Sequence, residues 1–400
     1  MAYSAKVRAL SLTERCTAAF GAVLVALRLL QERQWIPLVL VVALAAAYPF
    51  LGPSLRAALT FLIGPLALLG GLLAILDANW NGFSAGQLPA FALLAGGIAL
   101  LVASAAALLS RPRARLGWRL GRGALTFLGA VLILYFGIVA LGAALWVTGK
   151  PRIPVRSFAI PHRDVVLTSS DGTRLASWYV PSKNGAAVVL VHGSGGSRDG
   201  LKLHATMLAR HGYGVLLYDE RGRGDSGGRT NGLGWDWPDD VDAAVAFLQG
   251  QGARRVGVLG LSTGAEVALT AAADNPKIAA VVADGAEART LDDFAHQRGA
   301  DKWSSLPYWA VTTFAVRIIR HTKPSAPLDQ VMHDIAPRPL LLVQSNDHAE
   351  TALAPVWAKI DGRPGVLWHV DAAHTKGLAD HPVEYERRVL GLFDKALLHH

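Results

Sequence analysis

Four long apolar runs without a charged residue constrain what this chain can fold into more than any other feature. They cover residues 36–51, 57–76, 88–109 and 124–147. A helix needs about 20 apolar residues to cross the hydrocarbon core of a bilayer, so the last three runs are long enough and the first is short. A further apolar stretch over residues 16–30 contains Arg28, and it fits a fifth span, a re-entrant segment or an interfacial helix. Residues 1–149 are therefore predicted to form a helical membrane domain of four or five spans.

The distribution of basic residues predicts how these spans are oriented. Residues 77–87 contain no Lys or Arg, whereas the segment before the fourth run contains Arg111, Arg113, Arg115, Arg119 and Arg122. Because Lys and Arg accumulate in cytoplasmic loops, we expect the arginine-rich segment inside and residues 77–87 outside. A five-span count also places the basic N-terminal residues inside, so it is favoured over four. The chain is then expected in the cell membrane, with everything after residue 149 on its outer side.

Charge and cysteine content exclude several classes of function. The net charge is +9, but 12 Lys or Arg against three Asp or Glu lie within residues 1–150, and the rest of the chain has 27 of each sign. The excess positive charge therefore accompanies the apolar runs, and nucleic acid is not an expected partner. The single Cys16 excludes an internal disulfide and a CxxC site. With neither HExxH nor a His/Asp cluster, we expect no metal and no cofactor.

Beyond a linker over residues 150–162, short apolar runs alternate with helical segments up to residue 400. Two runs joined at Asp171-Gly172 predict an opening hairpin, Arg163–Ser169 and Arg174–Val180. Six runs typical of buried parallel strands follow, at 187–191, 214–218, 255–259, 278–283, 339–344 and 366–370. Helical segments lie at 199–211, 238–249, 263–274, 351–361 and 382–398. The alternation predicts a doubly wound, mostly parallel α/β sheet.

A nucleophile candidate lies between the predicted strand 255–259 and the predicted helix 263–274. The pentapeptide Gly260–Gly264 has Ser262 at its centre. A sharp strand-to-helix turn leaves no room for side chains beside the serine, which explains glycines at those positions and exposes the hydroxyl at a helix N-terminus. Ser262 is therefore predicted to be a catalytic nucleophile.

The remaining parts of a catalytic triad follow in chain order. His374 lies in a loop after the last strand, where it can take the proton of a serine hydroxyl. The carboxylate that orients this imidazole should follow the strand 339–344, and Asp347 is the predicted acid. Glu350 lies one turn further on and is the alternative to Asp347.

An oxyanion hole and a cap complete the predicted site. The backbone amide of Thr263 and that of Ser194, in the glycine-rich loop after residue 191, are the expected oxyanion donors. His192 is interpreted as a residue that braces this loop. A long insertion over about residues 285–337 is expected to form a helical cap. With Trp235 and Trp237, its aromatic residues Trp303, Trp309 and Phe314 either line an acyl pocket or pack on the sheet.

These motifs together resemble the serine α/β hydrolases from about residue 163 onwards. The resemblance is carried by His192-Gly193, by Asp219–Ser226, by the pentapeptide around Ser262, and by Asp347 and His374. It implies cleavage of an ester, thioester or amide of a small or lipid-like acyl substrate, through an acyl-enzyme on Ser262. Two alternatives stay open: a peptidase or amidase with the same triad, and an inactive receptor or scaffold.

Two further segments refine this resemblance. The closing runs His374–Gly377, Pro382–Tyr385 and Arg388-Val389 are similar to membrane-anchored bacterial members, which implies a lipid bilayer as partner. Residues 222–227 formally match the dinucleotide pattern GxGxxG, but a loop rather than a helix follows them. A dinucleotide site needs a helix that opens directly on those glycines, so none is expected.

Overall fold

The computed structural model describes residues 142, 155 and 158–398, with gaps at 229–231 and 321. The four apolar runs predicted to cross a membrane, and most of the predicted linker, lie outside the described residues. Among the residues that are described, the search for a helix long and apolar enough to span a bilayer finds none.

The domain opens with the predicted antiparallel hairpin of β1 (Arg163–Thr168) and β2 (Arg174–Val180). Its turn is closed by the amide of Gly172, which donates to the carbonyl of Ser169 over 2.9 Å. The carboxylate of Asp171 accepts the amide of Thr173 at 2.9 Å, and Gly172 has φ +83°. Because a glycine adopts this φ without a Cβ penalty, Asp-Gly fixes the register of the hairpin.

Six further strands complete one eight-stranded sheet in the order β1-β2-β4-β3-β5-β6-β7-β8. They are β3 (Ala186–Val191), β4 (Gly214–Tyr218), β5 (Arg255–Leu261), β6 (Ile278–Asp284), β7 (Leu340–Gln344) and β8 (Leu367–His369). The pairs β1·β2 and β2·β4 are antiparallel, and the other five pairs are parallel. Every residue of β3, β4 and β7 is buried, as continuous apolar runs predict for strands covered on both faces.

The helices are α1 (Lys202–Arg210), α2 (Pro238–Gly250), α3 (Thr263–Asp274), α4 (Leu291–Ala295), α5 (Gly299–Arg320), α6 (Leu328–Ile335), α7 (His348–Asp361), α8 (Gly377–Asp380) and α9 (Pro382–Phe393). A 3-10 turn, Arg198–Leu201, precedes α1, and a π-helical turn, Asp394–Leu398, follows α9. The mostly parallel, doubly wound α/β prediction is confirmed for the described residues.

Two apolar cores cover the two faces of the sheet. On one face the core includes Leu248 of α2, Ala268 of α3 and Trp357 of α7. On the other it includes Leu208 of α1 and Phe393 of α9. Each fully buried large side chain of this kind stabilises the fold by about 1.5–3 kcal/mol relative to exposure. The sheet is therefore a rigid platform, and its carboxyl edge holds fixed positions for side chains.

The predicted insertion between β6 and β7 contains α4, α5 and α6. Its two ends are tied together by the buried carboxylate of Asp293, which accepts the amides of Arg289 and Thr290 at 2.9 Å each and that of Leu328 at 2.6 Å. The side chain of Thr290 accepts the amide of Asp293 in return, which forms a capping box at the start of α4. A single buried side chain thus holds the base of the cap.

Candidate active site

Ser262 occupies a strained turn between the end of β5 and the start of α3. Its backbone has φ +55° and ψ −128°, a conformation that costs a residue with a side chain on the order of 1–3 kcal/mol. A Cβ at Gly260 would lie 1.9 Å from the carbonyl oxygen of Gly264, and one at Gly264 would lie 2.3 Å from that of Val191. The amide of Ser262 donates to the carbonyl of Asp284 over 2.8 Å. Both glycines are therefore sterically required, as the pentapeptide predicts.

Ser262 and His374 line one cavity of about 330 Å³, which we call the loop cavity. Its walls include the glycine-rich loop 192–197 and the apolar side chains of Leu201, Leu203, Leu261 and Leu378. His374 also packs against Gly285, where an added Cβ would lie 2.9 Å from the Cε1 atom of the imidazole. The structure therefore brings the predicted nucleophile and the predicted base to the same opening at the carboxyl edge of the sheet.

Glu350, rather than the predicted Asp347, is the acid that contacts His374. The Nδ1–H of His374 donates to Oε1 of Glu350 over 2.6 Å, and the carboxylate of Glu350 is fully buried. Ser345 holds that carboxylate in place through its amide at 2.6 Å and its hydroxyl at 2.7 Å. The hydrogen bond to Glu350 raises the pKa of His374 above its ordinary value, against the opposite effect of burial.

The position of Asp347 explains this correction. Asp347 is the N-cap of α7, and its Oδ1 accepts the amides of Ala349 at 2.8 Å and Glu350 at 3.4 Å. The helix begins at His348, three residues before the predicted start at Thr351, so Glu350 occupies its first turn. An Asp followed three residues later by a Glu is a helix-start pattern, and it is the signal in the sequence that separates the two roles.

The two residues that carry the predicted oxyanion donors both lie beside Ser262. Thr263 is the first residue of α3, and no backbone acceptor is found for its amide or for that of Ser194 within the described residues. The first amides of a helix have no intrahelical partner, and the helix dipole favours a negative charge there. Ser194 lines the loop cavity beside Ser262. Ser194, Ser262 and Thr263 also line a second cavity together, and the role of the two amides as oxyanion donors stays a prediction.

His192 braces the glycine-rich loop, as the sequence predicted. Its Nε2 accepts the amide of Glu220 at 3.0 Å, so Nδ1 carries the proton and donates to the carbonyl of Gly193 over 2.7 Å. Burial lowers the pKa of His192 to about 4, which keeps the ring neutral. The loop that presents Ser194 is therefore held by a neutral histidine rather than by a second base.

The glycines that match the dinucleotide pattern have a structural role. A Cβ at Gly224, which has φ +45°, would lie 2.0 Å from Oδ2 of Asp219. The carboxylate of Asp219 accepts the amides of Arg198 at 2.7 Å and Asp225 at 2.9 Å, and the Arg198 guanidinium pairs with it. This buried network fixes the loop after β4 beneath the start of α1. The next helix in the described part of the chain, α2, begins only at Pro238.

A second cavity of about 180 Å³, which we call the cap cavity, also opens on Ser262. Besides Ser194, Ser262 and Thr263, it is lined by Leu233, Glu266, Glu287, Ala288, Arg289 and Trp309. Sequence reasoning did not identify Glu266 or Glu287. The sequence offered a signal only for Glu266, which is an acidic residue among apolar neighbours in the first turn of α3.

The predicted aromatic pocket is only partly formed. Trp309 lines the cap cavity and stacks on Phe294, with ring centroids 4.4 Å apart. Trp235 and Trp237 are buried, whereas Trp303 and Phe314 are 77% and 67% exposed. Trp303 and Phe314 line neither of the two cavities and are not buried against the sheet, so neither of the two alternatives given for them applies.

Glu287 gives His374 a second acidic neighbour. Its Oε1 lies 3.9 Å from Nδ1 of His374, and its side chain is 34% exposed. One donor atom from each of Glu287, Glu350 and His374 lies within 4.8 Å of the others. Because hydrogen bonds from Ser345 and His374 already engage Glu350, we interpret the trio as the support of a base. Burial raises the pKa of Glu287 to about 7.

Comparison with known proteins agrees with a hydrolase fold. Residues 182–336 match the family described as Serine aminopeptidase, S33. The uncharacterized protein Rv2307c of Mycobacterium tuberculosis is 32% identical over 168 residues, which are 38% of this chain and 59% of that protein. A polyketide transferase of a Penicillium species is 30% identical over 138 residues, or 31% of this chain and 45% of that protein. The chain thus spans about half the length of the curated relatives it matches.

A solved structure reproduces the fold of the described domain. The esterase Pf2001 of Pyrococcus furiosus superposes with a TM-score of 0.52 at 24% identity, over 63% of this chain and 98% of that one. At this identity the likeness concerns the fold alone. Residues 158–398 have the α/β-hydrolase fold, and the family match over residues 182–336 agrees with a hydrolase.

Proposed function

We propose that this protein is a membrane-anchored serine hydrolase that cleaves an ester, thioester or amide through an acyl-enzyme on Ser262. The observation that carries the proposal is the convergence of three side chains: a serine at a strained elbow, a histidine lining the same cavity, and a buried carboxylate 2.6 Å behind that histidine. An unassisted serine hydroxyl is a weak nucleophile, and this arrangement supplies the base that activates it.

Acylation follows from the roles of these groups. Glu350 orients the imidazole and stabilises the imidazolium, while His374 removes the proton of Ser262 as its Oγ attacks the substrate carbonyl carbon. The carbonyl π bond becomes an oxyanion, which the amides of Thr263 and Ser194 stabilise. When the intermediate collapses, His374 returns the proton to the leaving alcohol, thiol or amine, and the acyl group stays on Ser262.

Deacylation repeats the same steps with water as the nucleophile. His374 takes a proton from water, the hydroxide oxygen attacks the acyl carbon, and the same two amides hold the second oxyanion. Collapse releases the carboxylic acid and returns the proton to Oγ of Ser262. The rigid sheet edge keeps the three groups in register through both halves of the cycle.

A fluorophosphonate probe tests the nucleophile directly. We expect the wild-type protein to be labelled and Ser262→Ala to be unlabelled, because the probe bonds to an activated serine oxygen. Ser170→Ala is the matched control, since the Ser170 hydroxyl contacts Asp239 on the exposed surface of the hairpin end. A folded wild-type protein that resists labelling would contradict the proposal and favour the scaffold alternative.

An amidase or peptidase acting on aminoacyl substrates is the second candidate. It is favoured by the two carboxyl groups of Glu266 and Glu287 beside Ser262, together with the similarity to serine aminopeptidases over residues 182–336. A panel of short-chain acyl esters, long-chain acyl esters and aminoacyl amides separates the candidates. Turnover of aminoacyl amides above both ester classes would select the peptidase.

The membrane anchor is a proposal that the apolar runs within residues 36–147 support, and it has its own test. We expect protease added to intact spheroplasts to degrade the hydrolase domain, because the arginines at 111–122 predict that this domain is outside. Recovery of the chain in the soluble fraction would contradict the anchor. Protection of the domain in intact cells, with degradation after lysis, would reverse the orientation.

A further inference from the structure

His204 is a buried histidine that no hydrogen bond holds. It lies in the first turn of α1, it is 4% exposed, and neither Nδ1 nor Nε2 has a hydrogen-bond partner among the described residues. His192, the other buried histidine in this part of the chain, uses both of its ring nitrogens. An unsatisfied buried polar group costs folding free energy, so packing alone does not account for a histidine at this position. Its nitrogens remain available to a ligand.

The imidazole of His204 borders the loop cavity, which also contains Ser262 and His374. The ring packs edge-on against Tyr385, with ring centroids 5.5 Å apart and an interplanar angle of 72°. Both ring nitrogens are covered in this orientation of the ring. Because the torsion about the Cβ–Cγ bond of a histidine is broad and no hydrogen bond fixes it here, a rotation can turn one nitrogen toward the cavity.

The charge state of His204 and the walls of the cavity define the group that fits. Burial lowers the pKa of His204 to about 4, so the ring is neutral near pH 7 and has one donor and one acceptor nitrogen. A hydroxyl group can pair with either nitrogen, whereas an ammonium needs the acceptor and a carboxylate needs the donor. The apolar side chains of Leu201, Leu261 and Leu378 line the same cavity. The cavity therefore suits a hydroxyl group on an alkyl stem.

The position of His374 decides which part of the substrate enters this cavity. In the proposed mechanism His374 returns a proton to the leaving alcohol, thiol or amine, so the leaving group must contact the imidazole. Among the described residues, His374 lines the loop cavity and not the cap cavity, although both cavities reach Ser262. The leaving group is therefore placed in the loop cavity. The cap cavity, with Leu233 and Trp309 in its wall, is left for the acyl chain.

We propose that His204 is a specificity-determining residue that binds a hydroxyl group on the leaving group of the substrate. The preferred substrates are thereby narrowed to monoesters of alkanediols, in which an apolar stem separates the ester oxygen from a free hydroxyl group. This inference rests on the proposed function, because a leaving group exists only if Ser262 reacts.

A role in binding and a role in stability make opposite predictions for His204→Leu. Leucine removes both unpartnered nitrogens and keeps an apolar side chain beside Tyr385, in the core on this face of the sheet. Replacement of an unsatisfied buried polar group by an apolar one is neutral or stabilising, so the midpoint of urea denaturation should stay at or above that of the wild type. A lowered midpoint together with an unchanged substrate preference would assign His204 to the fold and overturn the inference.

The test compares acetate esters that differ in one hydroxyl group of the leaving alcohol. The pairs are butyl and 4-hydroxybutyl acetate, and hexyl and 6-hydroxyhexyl acetate, which give the hydroxyl group two reaches. In at least one pair, wild-type kcat/KM should be about tenfold higher for the hydroxylated ester, as expected when a buried group gains its missing partner. His204→Leu should lose this preference and still hydrolyse the plain esters. His204→Asn keeps a donor and an acceptor, so it should retain part of the preference.

A matched variant and a second pair of esters serve as controls. His211 follows α1, is exposed and pairs with Glu386, so His211→Gln should keep the wild-type preference. Ethyl hexanoate and ethyl 6-hydroxyhexanoate move the hydroxyl group to the acyl chain, where no preference is expected. Equal turnover within both acetate pairs, a preference that survives in His204→Leu, or a preference confined to the acyl chain would overturn the inference.

Binding without reaction separates this inference from the proposed function. Ser262→Ala cannot form an acyl-enzyme, so calorimetric titration of this variant with the same four acetates measures binding alone. The favoured hydroxylated ester should bind about tenfold more tightly than its plain counterpart, and the difference should vanish in His204→Leu/Ser262→Ala. A wild-type protein that turns over no ester, with this binding difference intact, would refute the proposed function and leave the hydroxyl site standing. Turnover without the binding difference would refute the inference alone.

Discussion

The segments that follow β7 and β6 each place a carboxylate near His374, and the two carboxylates differ in burial and in distance from the imidazole. After β7, Glu350 is fully buried, receives two hydrogen bonds from Ser345 and contacts the imidazole at 2.6 Å. After β6, Glu287 is one-third exposed, lies 3.9 Å from the same nitrogen and borders the cap cavity. The first acid is fixed by the fold, whereas the second is open to whatever occupies the cavity. Glu350 therefore orients the imidazole of His374, and Glu287 adjusts the pKa of the same imidazole.

The largest expected effect comes from Glu350→Gln. Glutamine fills the same space, but its neutral amide can no longer stabilise the imidazolium and favours the wrong tautomer. We expect kcat for ester hydrolysis to fall by about 10³–10⁴-fold, with little change in KM. If Glu350→Gln keeps most of its activity while Glu287→Gln loses it, Glu287 rather than Glu350 is the acid that orients His374.

The next effect concerns the backbone under the imidazole. Gly285→Ala places a methyl group 2.9 Å from Cε1 of His374 at a residue with φ +79°, so the ring must move away from Ser262. We expect kcat to fall by about tenfold to a hundredfold, because a small displacement of a base disrupts proton transfer. Gly172→Ala also substitutes a glycine at φ +83°, but in the distant hairpin, and it controls for backbone strain.

A smaller effect is expected from Glu287→Gln, which tests whether this acid changes the pKa of His374. A nearby negative charge raises the pKa of His374, and only the neutral imidazole acts as a base, so labelling by a fluorophosphonate should decline as the pH falls through that pKa. Glu287→Gln removes one of the three carboxylate charges that raise this pKa, which belong to Glu350, Glu287 and Asp347. Its profile should therefore keep the wild-type plateau with the acidic limb displaced to lower pH. An acidic limb that stays in place would mean that Glu287 does not act on His374.

The smallest effect is expected from Asp347→Ala, which tests the corrected assignment. The substitution removes the N-cap of α7 and should lower the free energy of unfolding by about 1 kcal/mol, measured by urea denaturation. At a temperature where the variant is folded, its kcat should stay near that of the wild type. A loss of activity as large as that of Glu350→Gln would restore Asp347 as the acid.

The contrast between the two segments also explains what the sequence could predict. Strand bounds agree within one or two residues, and the predicted pair Ser262 and His374 lines one cavity, because a glycine-flanked turn and chain order are local properties. The choice between Asp347 and Glu350 depends on where α7 begins. The helix begins three residues earlier than predicted, which makes Asp347 its N-cap and places Glu350 in its first turn. Glu266 and Glu287 are distant in sequence and adjacent only after β6 has paired with β5, so no local pattern unites them.

The cap helix α5 also depends on contacts that a local sequence pattern does not predict. The sequence left open whether the aromatic residues of α5 line a pocket or pack on the sheet, because the face of α5 that turns inward is decided by packing on Phe294 and Val316. Trp309 therefore faces the cavity, while Trp303 and Phe314 face solvent. The helical membrane domain within residues 1–149 remains a prediction, because those residues lie outside the part of the chain that the structure describes.

The carboxylate of Asp293, which accepts amides from both ends of the insertion, has an evolutionary consequence. It closes the segment that carries α4 and α5 at its base, whereas α6 beyond that junction packs in the core with Leu340 of β7. Sequence changes within α5 are therefore expected to accumulate with less effect on the sheet than changes within α6.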